Sequence, residues 1–228
     1  MQILKTMIKY IQSLNNTRTL NIDIHGICFK DTQNTEYHRI DNKVSTIAEK
    51  SYLFEYNVIL NTPIVNEYTG FFSWKFRAKT GMNKRVLFNL LQEKNYTEYE
   101  VINLCEPLPK PYLEFTELNH KGFMEVFTNI CTDLGLKVEE PKHTIYSNFF
   151  IAKKEVFKEY QELLKYAIFL LETKYKTEAW NDSGYKGLPK ERLKEATELE
   201  HYTFHTFILE RLMSVWIDNK NIKTLDLT

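Results

Sequence analysis

Apolar residues recur at helical spacing in the C-terminal half of the chain, where they predict two long amphipathic helices. The first is expected over residues 155–172, in which apolar side chains follow the ~3.6-residue period of an α-helix. The second is expected over residues 204–216, where four apolar side chains share one face. A further helix is predicted over residues 120–134, and Gly135 is expected to end it because glycine readily adopts the left-handed conformation.

Strands are predicted in the N-terminal half, where apolar and polar residues alternate. Residues 20–24 carry this pattern, which is typical of a half-buried strand, and residues 100–104 are a second strand candidate. The second strand runs into residues 106–111, whose three prolines exclude a regular helix. Helical spacing also occurs at residues 45–57 and 83–92. The predicted fold class is therefore α/β, with a mixed sheet flanked by helices.

The remaining segments have weaker patterns. Residues 30–46 are predicted to be loop, residues 58–60 a short strand, and the polar tail after Asp218 is expected to fray. Residues 173–201 are charged and contain two glycines and a proline, which favours a mobile excursion with a short surface helix near residues 189–200.

Residues 1–14 carry an amphipathic helical pattern that lysines interrupt. The pattern predicts a surface helix, because a signal peptide or a membrane span needs a continuous apolar run. No transmembrane segment is expected, while peripheral membrane contact through this helix stays open. No repeat or linker divides the chain, so residues 1–228 are predicted to form a single domain.

Composition narrows the functional classes. The chain has 30 Lys and Arg against 30 Asp and Glu, so no overall positive field attracts nucleic acid, and no nucleic-acid partner is expected. The three cysteines are widely spaced and form no CxxC motif, which disfavours a disulfide framework or a zinc site and fits a cytoplasmic location. The six histidines form no clear metal-ligand spacing.

A cluster of aromatic and cationic residues at 74–79 is the first candidate for chemistry. If this segment is extended, Lys75, Arg77 and Lys79 share one face, and Trp74 lies on the other. Such cations beside an aromatic ring suit a diphosphate and a stacked nucleobase. The alternative is an amphipathic strand or turn with a solvated basic face, which the spacing alone favours.

The end of the strand at 100–104 is the second candidate. Nucleotide-sugar transferases often place an acidic DxD motif at such a position, where two carboxylates hold the metal that bridges the diphosphate. This chain has Asn103 there, a candidate substrate-binding residue, and its nearest DxD-like triplet is Asp-Ile-His at 23–25. The metal site is therefore unknown, and a strand end without a functional role is the alternative.

Two further candidates lie at helix positions. His120 precedes a predicted helix and is a candidate general base or hydroxyl contact, with a capping or surface histidine as the alternative. Glu210 and Arg211 stand among apolar neighbours in the last helix. Glu210 is a candidate base or acceptor contact, and a structural salt bridge is the favoured alternative.

The order of these segments resembles the glycosyltransferase-like domains of unknown function that are encoded with bacterial capsule and exopolysaccharide genes. The resemblance covers roughly residues 45–217. It is carried by an aromatic-Trp-Lys segment, a proline loop, a histidine before the middle helix, the segment Asn148-Phe149-Phe150-Ile151-Ala152-Lys153-Lys154 and the segment Phe207-Ile208-Leu209-Glu210-Arg211-Leu212. Its matched positions are Trp74, Lys75, His120, Asn148, Glu210 and Arg211.

The resemblance implies a GT-A-like fold and a glycosyltransferase that moves a sugar from a nucleotide-diphosphate donor to a saccharide acceptor in surface polysaccharide synthesis. It also implies a divalent metal, Mn²⁺ or Mg²⁺, although no clear DxD motif is present. A noncatalytic binding or assembly module on the same scaffold is the alternative that the missing motif favours. A third hypothesis is an interaction protein that docks through its N-terminal helix.

Overall fold

The structure is a computed structural model of the chain. It describes residues 20–28, 35–41, 48–108, 111–187 and 189–227. The helix predicted at residues 1–14 lies outside the described residues, as does most of the loop predicted at residues 30–46.

A six-stranded mixed sheet forms the centre of the molecule. In chain order the strands are β1 (Ile22–Cys28), β2 (His38–Asp41), β3 (Tyr68–Ser73), β4 (Val101–Asn103), β5 (Phe150–Lys153) and β6 (Thr224–Asp226). Their order across the sheet is β2-β1-β3-β5-β4-β6. Strand β5 runs antiparallel to both neighbours, and the other pairs are parallel. The predicted α/β class with a mixed sheet is thus confirmed.

Helices cover both faces of this sheet. They are α1 (Glu55–Asn61), α2 (Phe76–Thr80), α3 (Lys84–Glu93), α4 (Tyr112–Asn119), α5 (Phe123–Asp133), α6 (Lys154–Thr173), α7 (Lys176–Ala179), α8 (Lys190–Thr197) and α9 (Phe204–Asn219). Short 3-10 helices span Ala48–Leu53 and Tyr96–Glu98. The two long amphipathic helices of the C-terminal half correspond to α6 and α9, and Gly135 follows α5 with φ of 69°.

Each face of the sheet has its own hydrophobic core, because side chains alternate along every strand. On one face, Ile27 and Phe71 pack with α1, α5, α6 and α9, and Trp216 is among the largest side chains fully buried there. On the other face, Ile24 and Phe72 pack with α2 and α3. The nearly complete burial of β3, β4 and β5 follows from this double covering.

Four local predictions are wrong. Residues 58–60 lie in α1 instead of a strand, in a short helix whose residues 56–59 are all buried. Strand β2 lies inside the predicted loop, and the tail forms β6 beside β4. The segment at 74–79 is not extended, since β3 ends at Ser73 and α2 follows.

The helix predicted to begin at His120 is also placed differently. His120 instead ends α4, an eight-residue helix that the proline loop precedes, and α5 begins at Phe123. Gly122 separates the two helices with φ of 87°, a conformation that favours glycine. The short helix predicted near residues 189–200 is confirmed as α8, and its Leu193 is buried in the main core.

Candidate functional site

A cavity of about 1080 Å³ opens where β3 ends, near the chain that follows β4 and the turn that precedes β5. Because β5 is antiparallel, its first residue pairs with the last residue of β4, at the end of the sheet where β3 also ends. Ligands of open α/β sheets bind at such carboxyl edges. The cavity collects Trp74, Lys75, Lys79 and all four of the predicted site residues from the second half of the chain: His120, Asn148, Glu210 and Arg211.

Two of the three cations predicted at 74–79 reach the cavity. Lys75 immediately precedes α2, and Lys79 lies within it. Because the two lysines are four residues apart, they share one face of the helical turn, and both line the cavity. The Nζ atom of Lys79 donates to Ser147 Oγ at 2.8 Å, and Lys75 lies over the ring of Trp74. Arg77 does not line the cavity and pairs at 3.0 Å with Glu36.

Asn148 is buried at the turn before β5. Its Oδ1 accepts a hydrogen bond of 2.8 Å from the hydroxyl of Tyr56 on α1. Ser147 and Asn148 have φ of 55° and 57°, in the left-handed region that most residues avoid. Two consecutive residues in this conformation hold the turn in a defined shape, which directs both side chains to the cavity wall.

Glu210 and Arg211 form an ion pair on α9 at the floor of the cavity. Arg211 is 7% exposed, its Nε donates to Thr116 Oγ1 at 3.2 Å, and its guanidinium lies 5.5 Å from the ring centre of Tyr112. These contacts join α9 to α4. Since an unpaired buried charge is costly, removal of either residue of the pair would leave the other without its compensating charge.

His120 is buried at the end of α4, where its ring stacks on Phe207 with centroids 3.8 Å apart. Burial lowers the pKa of His120 to about 4, and Arg211 contributes to the shift. The imidazole is therefore neutral near pH 7 and a weak base. Its Nδ1 is buried and has no hydrogen-bond partner among the described residues.

Asn103 lies outside this cavity. It is 2% exposed, its Nδ2 donates to Asp226 Oδ1 at 2.8 Å, and its Oδ1 accepts from the amide of Cys105 at 3.0 Å. It borders a separate pocket of about 580 Å³. The bond to Asp226 joins the end of β4 to β6, and the substrate-binding role of Asn103 stays a prediction.

Glu55, which the sequence did not single out, is a carboxylate of the cavity. It is half-buried in the first turn of α1. Burial raises its pKa, the neighbouring charge of Glu210 raises it further, and Lys79 and Lys75 oppose the shift. The sequence signal was weak, because an acidic residue in the first turn of a helix is common.

Aromatic side chains form much of the cavity wall, and they come from distant parts of the chain. They are Phe54, Trp74, Tyr112, Phe115, Tyr146, Tyr185, Tyr202 and Phe207. Tyr185 belongs to the segment predicted as a mobile excursion, and that segment also brings Arg192 to the wall. The mobility stays a prediction.

The charge of the cavity differs from that of the whole chain. The chain is formally neutral, whereas the cavity is lined by four cationic side chains and two carboxylates. The cations are Lys75, Lys79, Arg192 and Arg211, and the carboxylates are Glu55 and Glu210. A cavity with surplus positive charge and aromatic walls suits an anionic ligand that carries a ring.

Two further observations bear on the type of protein. None of the helices in the described ranges is both long enough and apolar enough to cross a membrane. Comparison of the chain with family models, curated proteins and solved structures gave no match.

Proposed function

We propose that this protein is a glycosyltransferase that takes a sugar from a nucleotide-diphosphate donor and adds it to a saccharide acceptor of a bacterial surface polysaccharide. The observation that carries the proposal is the cavity itself. Its wall combines Lys75, Lys79 and Arg211 with a carboxylate and aromatic rings at the carboxyl edge of the sheet. The mixed sheet flanked by helices is compatible with the GT-A type.

The cations account for donor binding in this proposal. Lys75 and Lys79 lie on one helical turn at the end of β3, so two ammonium groups face the same volume. Charge-assisted hydrogen bonds from such groups hold the diphosphate and stabilise the charge that develops as the sugar departs. Trp74, exposed beside Lys75, offers a face on which a nucleobase stacks.

The carboxylates account for proton removal. The acceptor hydroxyl loses its proton as its oxygen bonds to the sugar, and a carboxylate in the cavity accepts that proton. Glu55 suits this step better than Glu210, because Arg211 already engages Glu210, and the raised pKa of Glu55 makes it a stronger base than an ordinary carboxylate. His120 contributes a hydrogen bond to a hydroxyl in this scheme, not proton removal.

The cavity does not fit a metal site of the DxD type. No group of three metal-ligating side chains lies in the cavity among the residues that the structure describes. Its two carboxylates are Glu55, whose raised pKa opposes the deprotonated form that a metal requires, and Glu210, which pairs with Arg211. The proposed donor binding therefore runs through side-chain cations.

A noncatalytic module on the same scaffold is less well supported. Such a module would tolerate a filled cleft with Lys75 and Glu210 far apart, whereas here both residues line one open cavity. The hypothesis of docking through the N-terminal helix concerns residues outside the described ranges.

Isothermal titration calorimetry with UDP, GDP and their sugars tests the proposal. At least one nucleotide is expected to bind, and Lys79→Ala is expected to weaken binding about 10-fold, the size of one lost charge-assisted hydrogen bond. Arg77→Ala is the matched control, because Arg77 is a cation two residues away that does not line the cavity. Absence of nucleotide binding with and without manganese, or equal effects of the two variants, would reject the proposal.

A further inference from the structure

A second group of reactive side chains lies on the sheet, away from the cavity. Asp23 and His25 are two residues apart on β1, so both point to the same face of the sheet. His38 on β2 is the register partner of His25, so its side chain lies on that face as well. None of these three residues lines the cavity.

The three side chains approach one another closely enough to share an ion. One ligand atom from each residue lies within 4.8 Å of the others. His25 Nε2 is 3.2 Å from Asp23 Oδ2, and the rings of His25 and His38 are 5.2 Å apart. Two ligands of a tetrahedral zinc ion lie about 3.3 Å from each other, given metal–ligand bonds of roughly 2.0–2.1 Å. The distance between His25 Nε2 and Asp23 Oδ2 matches this separation between two ligands.

Two buried polar atoms in or beside this group of three side chains have no hydrogen-bond partner among the described residues. His25 is 5% exposed, and its Nδ1 has no hydrogen-bond partner among the described residues. Thr69 is the register partner of Asp23 on β3, and its buried Oγ1 also has no partner within the described part of the chain. Buried polar atoms are normally satisfied, so two unsatisfied ones beside these three side chains make this part of the core unusually polar.

The arrangement is also accessible. His38 is exposed and Asp23 is partly exposed, whereas His25 is buried against Phe71, on which its ring stacks at 4.8 Å. A buried, fixed ligand with two ligands open to solvent gives an ion a path of entry and leaves a coordination position for water.

We propose that Asp23, His25 and His38 bind a zinc ion that joins β1 to the edge strand β2. Two imidazoles and one carboxylate favour zinc over magnesium or calcium, which prefer oxygen ligands. Sequence spacing did not reveal the site, because His38 reaches His25 through the pairing of two parallel strands and not through a local motif.

Zinc binding to the full chain, first stripped with EDTA, tests this inference by calorimetry and by metal analysis after dialysis. One zinc per chain is expected, with no competition from millimolar magnesium. His38→Ala is expected to weaken zinc binding at least about 100-fold, since removal of a ligand exceeds the effect of losing a supporting partner. His38 is exposed, so this variant is expected to keep its fold, which circular dichroism checks.

His143→Ala is the matched control. His143 forms the same type of pair with Asp226, at 2.9 Å, but it belongs to no group of three ligands among the described residues. This variant is expected to bind zinc like the unchanged protein. No stoichiometric zinc in the unchanged protein, equal affinity in the folded His38→Ala variant, or an equal loss in both variants would overturn the inference.

Discussion

At the scale of single residues, hydrogen bonds with neighbouring side chains hold the polar side chains of the cavity in place. Tyr56 holds Asn148, Ser147 holds Lys79, and Thr116 holds Arg211. Side chains fixed in this way lose little further freedom when a ligand binds, which favours affinity. Glu55 differs from them, because burial is the main influence on its pKa and a second carboxylate, Glu210, lies nearby.

Glu55→Gln tests the assignment of the base. The change keeps the shape of the side chain but removes its ability to accept a proton, so sugar transfer is expected to fall about 100-fold or more. Nucleotide affinity is expected to change less than about 3-fold, since Glu55 is proposed to act in the chemical step and not in holding the nucleotide. Turnover and calorimetry measure the two quantities.

Glu106→Gln is the control for this change, because Glu106 is an exposed carboxylate that does not line the cavity. It is expected to leave both quantities unchanged. Undiminished transfer by the Glu55→Gln variant would show that another group removes the proton.

Two buried histidines predict how stability depends on pH. Burial lowers the pKa of His120 and of His205 to about 4, below the ordinary value of 6.5. The unfolded chain therefore binds more protons than the native protein between these values, and stability falls as the pH drops from about 6.5 to about 4. The loss is at most about 3 kcal/mol for each histidine.

Urea unfolding at several pH values measures this slope, and NMR titration of the imidazoles locates the transitions. The double change His120→Gln and His205→Gln is expected to flatten the slope. A free energy of unfolding that does not vary between pH 6.5 and 4, or imidazoles that titrate near 6.5, would contradict the prediction.

At the residue scale, the order of short segments predicted most of the cavity. Lys75, Asn148 and Glu210, which are positions of the resemblance, all line the cavity, and their roles stay predictions. Arg77 was misplaced because an extended segment, in which every second side chain shares a face, would have put it beside Lys75 and Lys79. The chain instead turns at residues 74–75 and enters a helix, in which residues two apart do not share a face. Glu55 needed the fold, since only tertiary contacts bury it beside Glu210.

At the scale of elements, long periodic segments were predictable and short strands were not. The 20-residue helix α6 and the 16-residue helix α9 have enough turns to show their period. Strands β5 and β6 have four and three residues, and β5 passes into α6 without a turn residue between them. Such strands owe their structure to pairing with distant partners, and no local pattern encodes it.

The end of helix α8 offers a stability test at this scale. Glu198 caps the helix in the left-handed conformation, with φ of 65°, and its side chain is exposed. Glycine adopts this conformation without strain, so Glu198→Gly is expected to raise the free energy of unfolding by about 1 kcal/mol. Chemical denaturation measures the change.

Glu198→Ala is the control, because it removes the same charge but keeps a Cβ atom. It is expected to give little or no stabilisation. If alanine stabilised the protein as much as glycine did, the charge and not the backbone conformation would be the cause.

At the scale of the whole molecule, the cavity is assembled from segments far apart in the chain. Glu55, Lys79, Asn148 and Arg211 come from four separate elements or turns, and the sheet edge brings them together. The α/β class followed from the mixture of strand and helix patterns. The sheet order did not, because β5 enters between β3 and β4 with reversed direction.

The pairing of β4 with β6 has a consequence for the order of folding. Val101 pairs with Thr224, and the helix that carries Glu210 and Arg211 lies just before β6. Contacts of such large sequence separation form slowly, because a long loop must close before they stabilise the chain. During synthesis, the first half of the sheet therefore emerges well before its partners, and the binding cavity is one of the last parts of the molecule to form.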